Sequence, residues 1–320
     1  MSGVRRPDFF IVGAPKCGTT ALYTYLGRHS DVYVPVRKEL RFFGSDLDVR
    51  DRVPLTTNEY LAYFAEAGDA RRVGTAYVWY LYSQSAADEI RRFAPDASIL
   101  VMLRNPIDML YALHGEHLTN GNEDITDFTA ALDAEPLRAQ GHQLPPHVHL
   151  PQGLLYSTVP RYAEQLERYF DRFDRERVHV SIFEEFVADP VGGYSEVLSF
   201  LGLDEDRPLD VADFEVVNPY RQLRSEWARH LLARPPDLPR RLISRTVPRP
   251  IRRNVHAWAK RVNVRRASRP PMPAITRRRL EALFEPEVRR LEALLGREIA
   301  SWRVPATTDA PAATNGAAGT

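Results

Sequence analysis

Three runs of consecutive apolar residues along the chain predict buried β-strands. They cover residues 8–13, 98–103 and 178–183. A short apolar run without alternating polar positions is typical of a strand that is covered on both faces. Glycine ends the first run and Arg-Asn-Pro ends the second, so both strands have clear ends. We therefore expect a sheet that lies inside the domain.

Apolar residues that recur at helical spacing predict seven helices between and after these strands. The predicted helices cover residues 21–28, 58–67, 83–94, 107–117, 158–173, 191–201 and 277–296. The first follows a strand and a glycine-containing loop, which is how a parallel α/β sheet begins. The expected fold class is therefore α/β, with a central parallel sheet flanked by helices. Residues 119–153, rich in Gly, His, Pro and Gln, predict a long surface excursion such as a substrate lid.

The composition describes an ordinary soluble chain. It has 320 residues, of which 44% are hydrophobic and 27% charged, with a formal net charge of +1. We expect one domain over residues 1–303 and a disordered tail over residues 304–320, where Ala, Thr, Pro and Gly dominate. The one cysteine, Cys17, excludes an intrachain disulfide. The chain shows neither an 18-residue apolar run nor a secretory signal, so the expected location is the cytoplasm.

The balanced net charge hides a strongly basic segment. Residues 229–279 contain 16 Arg or Lys and one acid, Asp237, and prolines divide them. Within this segment, residues 251–264 place apolar side chains, including Trp258, on one face of a predicted helix and cations on the other. One hypothesis is peripheral attachment to an anionic membrane surface at its inner face. The alternatives are a polyanionic acceptor, steering of an anionic ligand, or a solvated face. No nucleic-acid partner is expected, because no known module accompanies the charge.

The segment GAPKCGTT, residues 13–20, is the clearest candidate for chemistry. It lies between a predicted strand and a predicted helix, so its backbone N–H groups and the helix N-terminus can face a phosphate-like anion. Lys16 adds a positive charge, and Thr19 and Thr20 add hydroxyl groups. The alternative interpretation is an ordinary glycine turn capped by threonine.

A P-loop kinase is the first rival interpretation. Its pattern is G-x-x-x-x-G-K-[ST], with the lysine after the second glycine. Here Gly13 and Gly18 have the right separation, but Thr19 stands in the lysine position and Lys16 precedes Gly18. The second strand ends in Arg104 rather than in an aspartate that could hold magnesium. The loop therefore predicts anion binding without the metal site of a nucleotide hydrolase.

Longer strings of sequence resemble a known family. PKCGTTALYTYLGRHSDVYVPVRKELRFF and, some 60 residues later, ILVMLRNPIDMLYALH are similar to sulfotransferases that use 3′-phosphoadenosine 5′-phosphosulfate (PAPS), most of all to the heparan-sulfate branch and its bacterial relatives. The C-terminal LFEPEVRRLEALLGREIASW looks like the closing helix and tryptophan of that family. The resemblance spans about residues 8–225 and 277–302 and implies a P-loop-kinase-like sulfotransferase fold with metal-independent, in-line sulfuryl transfer from PAPS.

The resemblance also implies roles for residues at both ends of the co-substrate. The loop residues Lys16, Cys17, Gly18, Thr19 and Thr20 would grip the 5′-phosphosulfate. Lys16 would also act in catalysis, because a cation beside the leaving oxygen stabilises the charge that develops there.

Two further matches complete the implied site. Glu39, before two phenylalanines, would be the general base for the acceptor hydroxyl, although it could also be a plain ion-pair partner of a neighbouring cation. Arg104 would bind the 3′-phosphate. Arg221 and Arg224 are candidates for the same phosphate, with surface arginines as the alternative.

Two positions depart from the family pattern. Ala112 stands where the family usually has a serine, eight residues after Arg104. Thr75 and Ala76 stand where the family often has Glu-Lys, which leaves the acceptor-side lysine unassigned. These departures favour, as an alternative function, a sulfotransferase-like binding protein with impaired catalysis. The expected acceptor is a small molecule, glycan or lipid that offers a hydroxyl or, less favoured, an amine.

No metal is expected at this site. The histidines nearest to it in sequence do not show zinc-ligand spacing with cysteine or carboxylate partners; they are His114, His117, His142, His147 and His149. Cys17 precedes a predicted helix, which predicts a lowered pKa for its thiol. We nevertheless expect no redox role for it.

Overall fold

The computed structural model describes most of the chain. The described residues are 5–50, 53–204, 214, 221–223, 264–266 and 270–303, and for 221–223 and 264–266 the description covers the backbone only. Most of the basic segment lies outside these residues, including Trp258, and so do Arg224 and the tail after residue 303. The membrane hypothesis for the basic segment therefore stays a prediction from sequence.

Seven strands and ten α-helices form the described part. The strands are β1 (Phe9–Gly13), β2 (Val32–Tyr33), β3 (Arg72–Ala76), β4 (Ser98–Leu103), β5 (Val178–Ile182), β6 (Arg221–Leu223) and β7 (Val264–Arg266). The helices are α1 (Thr19–Leu26), α2 (Thr57–Ala62), α3 (Ala86–Phe93), α4 (Pro106–Asn120), α5 (Phe128–Asp133), α6 (Glu135–Ala139), α7 (Tyr162–Phe170), α8 (Phe183–Ala188), α9 (Pro190–Phe200) and α10 (Ala274–Leu295).

A five-stranded parallel sheet in the order β2-β3-β1-β4-β5 forms the centre of the fold. This confirms the predicted α/β class with helices around a parallel sheet. The three predicted strands correspond to β1, β4 and β5 of the sheet. β1 lies in the middle, and every residue of β1 and β4 is buried. A separate antiparallel pair, β6 and β7, follows later in the chain.

The register between β1 and β3 requires a glycine. Phe9 pairs with Gly74, and a Cβ atom at position 74 would lie 1.9 Å from the Phe9 ring. A side chain at position 74 would therefore displace a fully buried phenylalanine. β3 was not predicted because Arg72, Gly74 and Thr75 interrupt its apolar pattern.

The prediction for residues 119–153 was wrong in part. This segment contains α5, α6 and the start of a 3-10 turn at Pro151–Leu154, and it contributes buried side chains such as Phe128 and Leu132 to the core. A buried ion pair fixes it: Arg138 Nη1 and Nη2 donate to the two oxygens of Glu123 at 2.7 and 2.6 Å. Tyr156 donates to the same carboxylate at 2.9 Å. The segment is a packed part of the domain and not an open lid.

None of the helices within the described ranges combines the length and the apolar character needed to cross a bilayer.

We predict that Arg138→Met destabilises the protein strongly. Both side chains of the Arg138–Glu123 pair are fully buried, so the substitution leaves an unpaired carboxylate in the core. The expected loss is about 3–5 kcal/mol in the free energy of unfolding, measured by urea denaturation. Arg279→Met is the matched control, because the Arg279–Asp133 pair is more than half exposed and its loss should cost less than about 1 kcal/mol. Equal effects of the two substitutions would contradict the structural role of the buried pair.

Candidate active site

Three neighbouring strands bring the predicted site residues to one edge of the sheet. β1 pairs with β3 on one side and with β4 on the other, all in parallel. The loop of residues 13–20 leaves the carboxyl end of β1, and Arg104 follows the carboxyl end of β4. Glu39 reaches β3 through a hydrogen bond from its backbone N–H to the Ala76 carbonyl at 3.1 Å. In open parallel sheets, ligands bind at this edge, where the connections from two neighbouring strands, here β1 and β4, leave in opposite directions.

The loop of residues 13–20, called the anion loop below, is held close to the sheet. The Ala14 N–H donates to the Met102 carbonyl of β4 at 2.7 Å, and the chain then turns through Lys16 at φ 61° and Gly18 at φ 85°. A Cβ atom at Gly18 would lie 2.8 Å from the Phe183 ring, so a glycine is required there. Helix α1 begins directly afterwards at Thr19. Its first N–H groups lack intrahelical acceptors and can bind an anion at the loop.

The Cys17 side chain turns away from the opening of the loop. Its thiol is fully buried, donates to the Pro15 carbonyl at 3.3 Å and lies 3.8 Å from the Tyr162 hydroxyl. Burial raises the pKa of the Cys17 thiol to about 12, so the expectation of a lowered pKa was wrong. The helix N-terminus does not compensate for the loss of solvation. Cys17 can therefore contact a ligand in the loop only through its backbone.

Glu39 and Lys38 form a bridge between β3 and the anion loop. The Glu39 carboxylate accepts from the Val78 N–H at 3.1 Å with one oxygen and from Lys38 Nζ at 2.8 Å with the other. Lys38 Nζ also donates to the hydroxyl oxygens of Thr20 at 3.0 Å and Thr19 at 3.3 Å. The carboxylate is thus fixed in orientation beside the first turn of α1, and its side chain remains about one-third exposed. This geometry is compatible with both interpretations of Glu39, as an ion-pair partner and as a general base.

Arg104 lies on the other side of the anion loop. Its Nη1 donates to the Lys16 carbonyl at 3.4 Å, and its guanidinium carbon lies 4.9 Å from the centre of the Phe183 ring. Its Nε is buried and makes no hydrogen bond within the described residues, although Glu184 Oε1 lies 3.9 Å away. A guanidinium has five N–H donors in a planar fork. Because most of its donors make no hydrogen bond to the described residues, Arg104 fits an incoming anion.

The C-terminal tryptophan closes against this side of the site. Trp302 Nε1 donates to Glu184 Oε2 at 2.8 Å, and the Asn105 N–H donates to Glu184 Oε1 at 3.1 Å. Asn105 Nδ2 donates to the Trp302 carbonyl at 3.2 Å. Burial raises the pKa of Glu184, although these hydrogen bonds and Arg104 oppose the shift. Trp302 therefore contacts the two residues beside Arg104, which are Asn105 and Glu184.

Lys16 has a partner that the sequence did not suggest. Its Nζ donates to Glu116 Oε2 at 2.5 Å, across 100 residues of sequence. Glu116 lies in the third turn of α4, the helix that begins two residues after Arg104. The pair therefore joins the anion loop to the helix that follows β4.

The remaining predicted residues have different outcomes. Ala112 is 3% exposed and faces the core side of α4. Arg221 begins β6, a strand that lies beside α4, while Arg224 is outside the described residues. His114 and His117 are buried, and burial lowers the pKa of both, that of His117 to about 4.

In the described part of the chain, no group of three or more His, Cys, Asp or Glu side chains could hold a metal ion.

The pairing of Glu39 with a neighbouring cation was anticipated, but the contacts of Lys38 with Thr19 and Thr20, and those of Glu116 and Glu184, were missed by sequence reasoning. The rarity of lysine in an arginine-rich chain was a usable signal for Lys38, since it is one of only three lysines. Glu116 and Glu184 carry no such signal, because each meets its partner across 79 or more residues.

Known proteins resemble this chain over most of the described fold. A family model described as the sulfotransferase domain matches residues 6–233. The crystal structure of a sulfotransferase from Alicyclobacillus acidocaldarius is 30% identical, covers 94% of this chain and 100% of its own, and has a TM-score of 0.68.

Curated relatives are longer than this chain. Carbohydrate sulfotransferase 15 of Rattus norvegicus is 28% identical over 165 residues, which cover 38% of this chain and 29% of the relative. Heparan sulfate glucosamine 3-O-sulfotransferase 6 of Mus musculus is 26% identical over 200 residues, which cover 62% of this chain and 53% of the relative. The chain thus spans between about a third and a half of the length of these two relatives.

We predict that Cys17 reacts very slowly in the folded protein. A thiol with a pKa of about 12 is ionised to only about 10⁻⁵ at pH 7, and the thiolate is the reactive form. Labelling by iodoacetamide, followed by mass spectrometry, should be at least about a hundredfold slower in buffer than in denaturing urea. Because the chain has a single cysteine, the unfolded sample is its own control. Equal labelling rates in the two conditions would show that the thiol is accessible and acidic.

Proposed function

Because the chain belongs to the sulfotransferase family, we propose that it transfers a sulfuryl group from PAPS to the hydroxyl of an acceptor. The products would be a sulfate ester and adenosine 3′,5′-bisphosphate. The observation that carries this proposal is the convergence of Lys16, Glu39 and Arg104 at one edge of the sheet. The parallel sheet brings these three residues, which are far apart in sequence, around one anion loop.

The two sides of the anion loop fit the two anionic ends of PAPS. The loop N–H groups, Lys16 and the threonine hydroxyls would hold the 5′ side, and the unused donors of Arg104 would hold the 3′-phosphate. Gly18 supports this fit, because its position against Phe183 keeps side-chain volume out of the loop. When bound, PAPS would supply the sulfuryl group, and the leaving phosphate oxygen would take up the electron pair of the broken S–O bond.

Lys16 would stabilise charge that develops during transfer. Its side chain is about one-quarter exposed, so a ligand at the anion loop can reach the ammonium group. A cation that interacts more strongly with the developing charge than with the ground state lowers the barrier.

Glu39 would remove the proton from the acceptor hydroxyl. A hydroxyl is a weak nucleophile until a base accepts its proton, and a carboxylate within hydrogen-bond reach does so. The Val78 N–H and Lys38 hold the Glu39 carboxylate in one orientation and leave part of it exposed to an acceptor. Lys38 would also couple the position of the base to the first turn of α1, through Thr19 and Thr20.

The proposal includes several classes of acceptor. A glycan is the first choice for testing, because the relatives are named for carbohydrate and heparan sulfate substrates. The other acceptors to test are small molecules and lipid-linked molecules that carry a hydroxyl, and, as a less favoured class, amines.

We predict that adenosine 3′,5′-bisphosphate raises the melting temperature of the protein. A ligand that binds only the folded state stabilises it by mass action. AMP, which lacks the 3′-phosphate, should have a much smaller effect at the same concentration, because Arg104 would have no partner. Differential scanning fluorimetry measures both shifts. A larger shift with ATP and magnesium than with the bisphosphate would contradict the proposed co-substrate.

We predict that Glu39→Gln retains nucleotide binding but loses about 10²–10⁴ in turnover. The amide keeps the shape of the side chain and can still accept from Val78, but it cannot take up the acceptor proton. Lys16→Ala should reduce both nucleotide binding and turnover. Transfer of ³⁵S from labelled PAPS to a panel of glycan and small-molecule acceptors measures turnover, and calorimetry measures binding.

The matched control for Glu39→Gln is Glu167→Gln, whose carboxylate pairs with Arg290 on α10 instead. Wild-type turnover in Glu39→Gln would remove Glu39 from the role of base. A wild-type protein that binds the bisphosphate but sulfates no acceptor would favour the impaired binding protein instead.

A further inference from the structure

The Lys16–Glu116 ion pair places a carboxylate on the cation that the proposed chemistry uses. Glu116 Oε2 lies 2.5 Å from Lys16 Nζ, and the side chains are 42% and 25% exposed. Both groups therefore remain accessible at the opening of the anion loop. Any anion that binds Lys16 meets Glu116 at the same ammonium group.

The pair is not needed to hold α4 in place. Met109, Leu110 and Leu113 anchor this helix in the core, each with 1% exposure or less. Half-exposed ion pairs contribute little to stability, because water screens them and ordering two long side chains costs entropy. The contact with Lys16 is therefore better explained by its effect on the site than by its effect on the fold.

Two anions at one ammonium group repel each other. The ammonium has three N–H donors, so it can be shared, but a carboxylate and a phosphate on the same cation carry like charge at short distance. An arriving 5′-anion must displace Glu116 from Lys16 or weaken the ion pair between these two residues. Part of the binding free energy of the anion is lost in this exchange.

We propose that Glu116 is an internal competitor for the anion that Lys16 binds. This inference rests on the proposed function, because the nucleotide supplies the competing 5′-anion. The bisphosphate left after transfer still carries a 5′-phosphate, so a strong hold at Lys16 would also retain the product. The return of Glu116 to Lys16 favours product release, a step that limits turnover in many enzymes. Glu116 is thus a positioning residue that acts through Lys16.

The test is calorimetric titration of wild-type protein and Glu116→Gln with two matched nucleotides. Adenosine 3′,5′-bisphosphate carries the 5′-anion, and adenosine 3′-phosphate lacks it. Glu116→Gln should bind the bisphosphate about two- to fivefold more tightly, the scale of a half-exposed ion pair, and bind adenosine 3′-phosphate with unchanged affinity. A structural role of Glu116 would not discriminate between the two ligands. Glu167→Gln, which loses a similarly exposed carboxylate, should change neither affinity.

A double-mutant cycle with Lys16→Ala tests whether Glu116 acts through Lys16. In the Lys16→Ala background, Glu116→Gln should lose most of its gain in bisphosphate affinity. An equal gain in that background would overturn the inference, as would equal tightening of both nucleotides or no tightening of the bisphosphate. A wild-type protein that binds neither nucleotide would overturn the proposed function itself. Wild-type binding without a gain in Glu116→Gln overturns only the role of Glu116.

Discussion

Charge neutralisation at the carboxyl edge of the sheet governs the arrangement of this site. Cations grouped at the end of a buried sheet repel each other and lose solvation, so each requires a nearby carboxylate. In the described part of the chain, Lys16 lies against Glu116, Lys38 against Glu39, and Arg104 near Glu184. Glu116 and Glu184 are distant in sequence from Lys16 and Arg104, so these two pairs form only in the folded chain. The site therefore exists before any ligand arrives.

The three pairs differ in how tightly they are held, and this difference suits their proposed roles. Glu184 is one-quarter exposed and is tied to Asn105 and Trp302, so Arg104 has a firmly held neighbour. Glu39 is held by Lys38 and a backbone N–H while about a third of its side chain stays exposed. Glu116 has the most exposed carboxylate of these pairs and is the easiest to displace. A firmly held Arg104, an oriented carboxylate at Glu39 and an exchangeable Glu116 can thus lie at the same edge of the sheet.

Local patterns predicted the strands and helices whose burial is uniform or periodic. β1 and β4 were readable because every position is buried, and α4 and α10 because apolar residues recur at helical spacing. β3 was not predicted because its residues depend on neighbours in space, above all on the Phe9 ring that packs over Gly74. The predicted direction of the pKa shift of Cys17 was wrong for a related reason. The helix N-terminus can be recognised in the sequence, whereas the burial of the thiol beside Tyr162 cannot. Long-range pairs such as Lys16–Glu116 depend on packing and leave no local trace.

The alanine at position 112 shifts the expected grip on the 3′-phosphate toward Arg104. Ala112 is nearly fully buried, so the absence of a hydroxyl there leaves no polar group without a partner in the core. The fold therefore tolerates the departure from the family pattern, and in the proposed function its consequence would fall on nucleotide binding. Arg104 retains unused donors, and its Nε has no hydrogen bond among the described residues. With the serine contact gone, the orientation that Glu184 and Phe183 impose on the guanidinium determines how many of those donors can face a single phosphate.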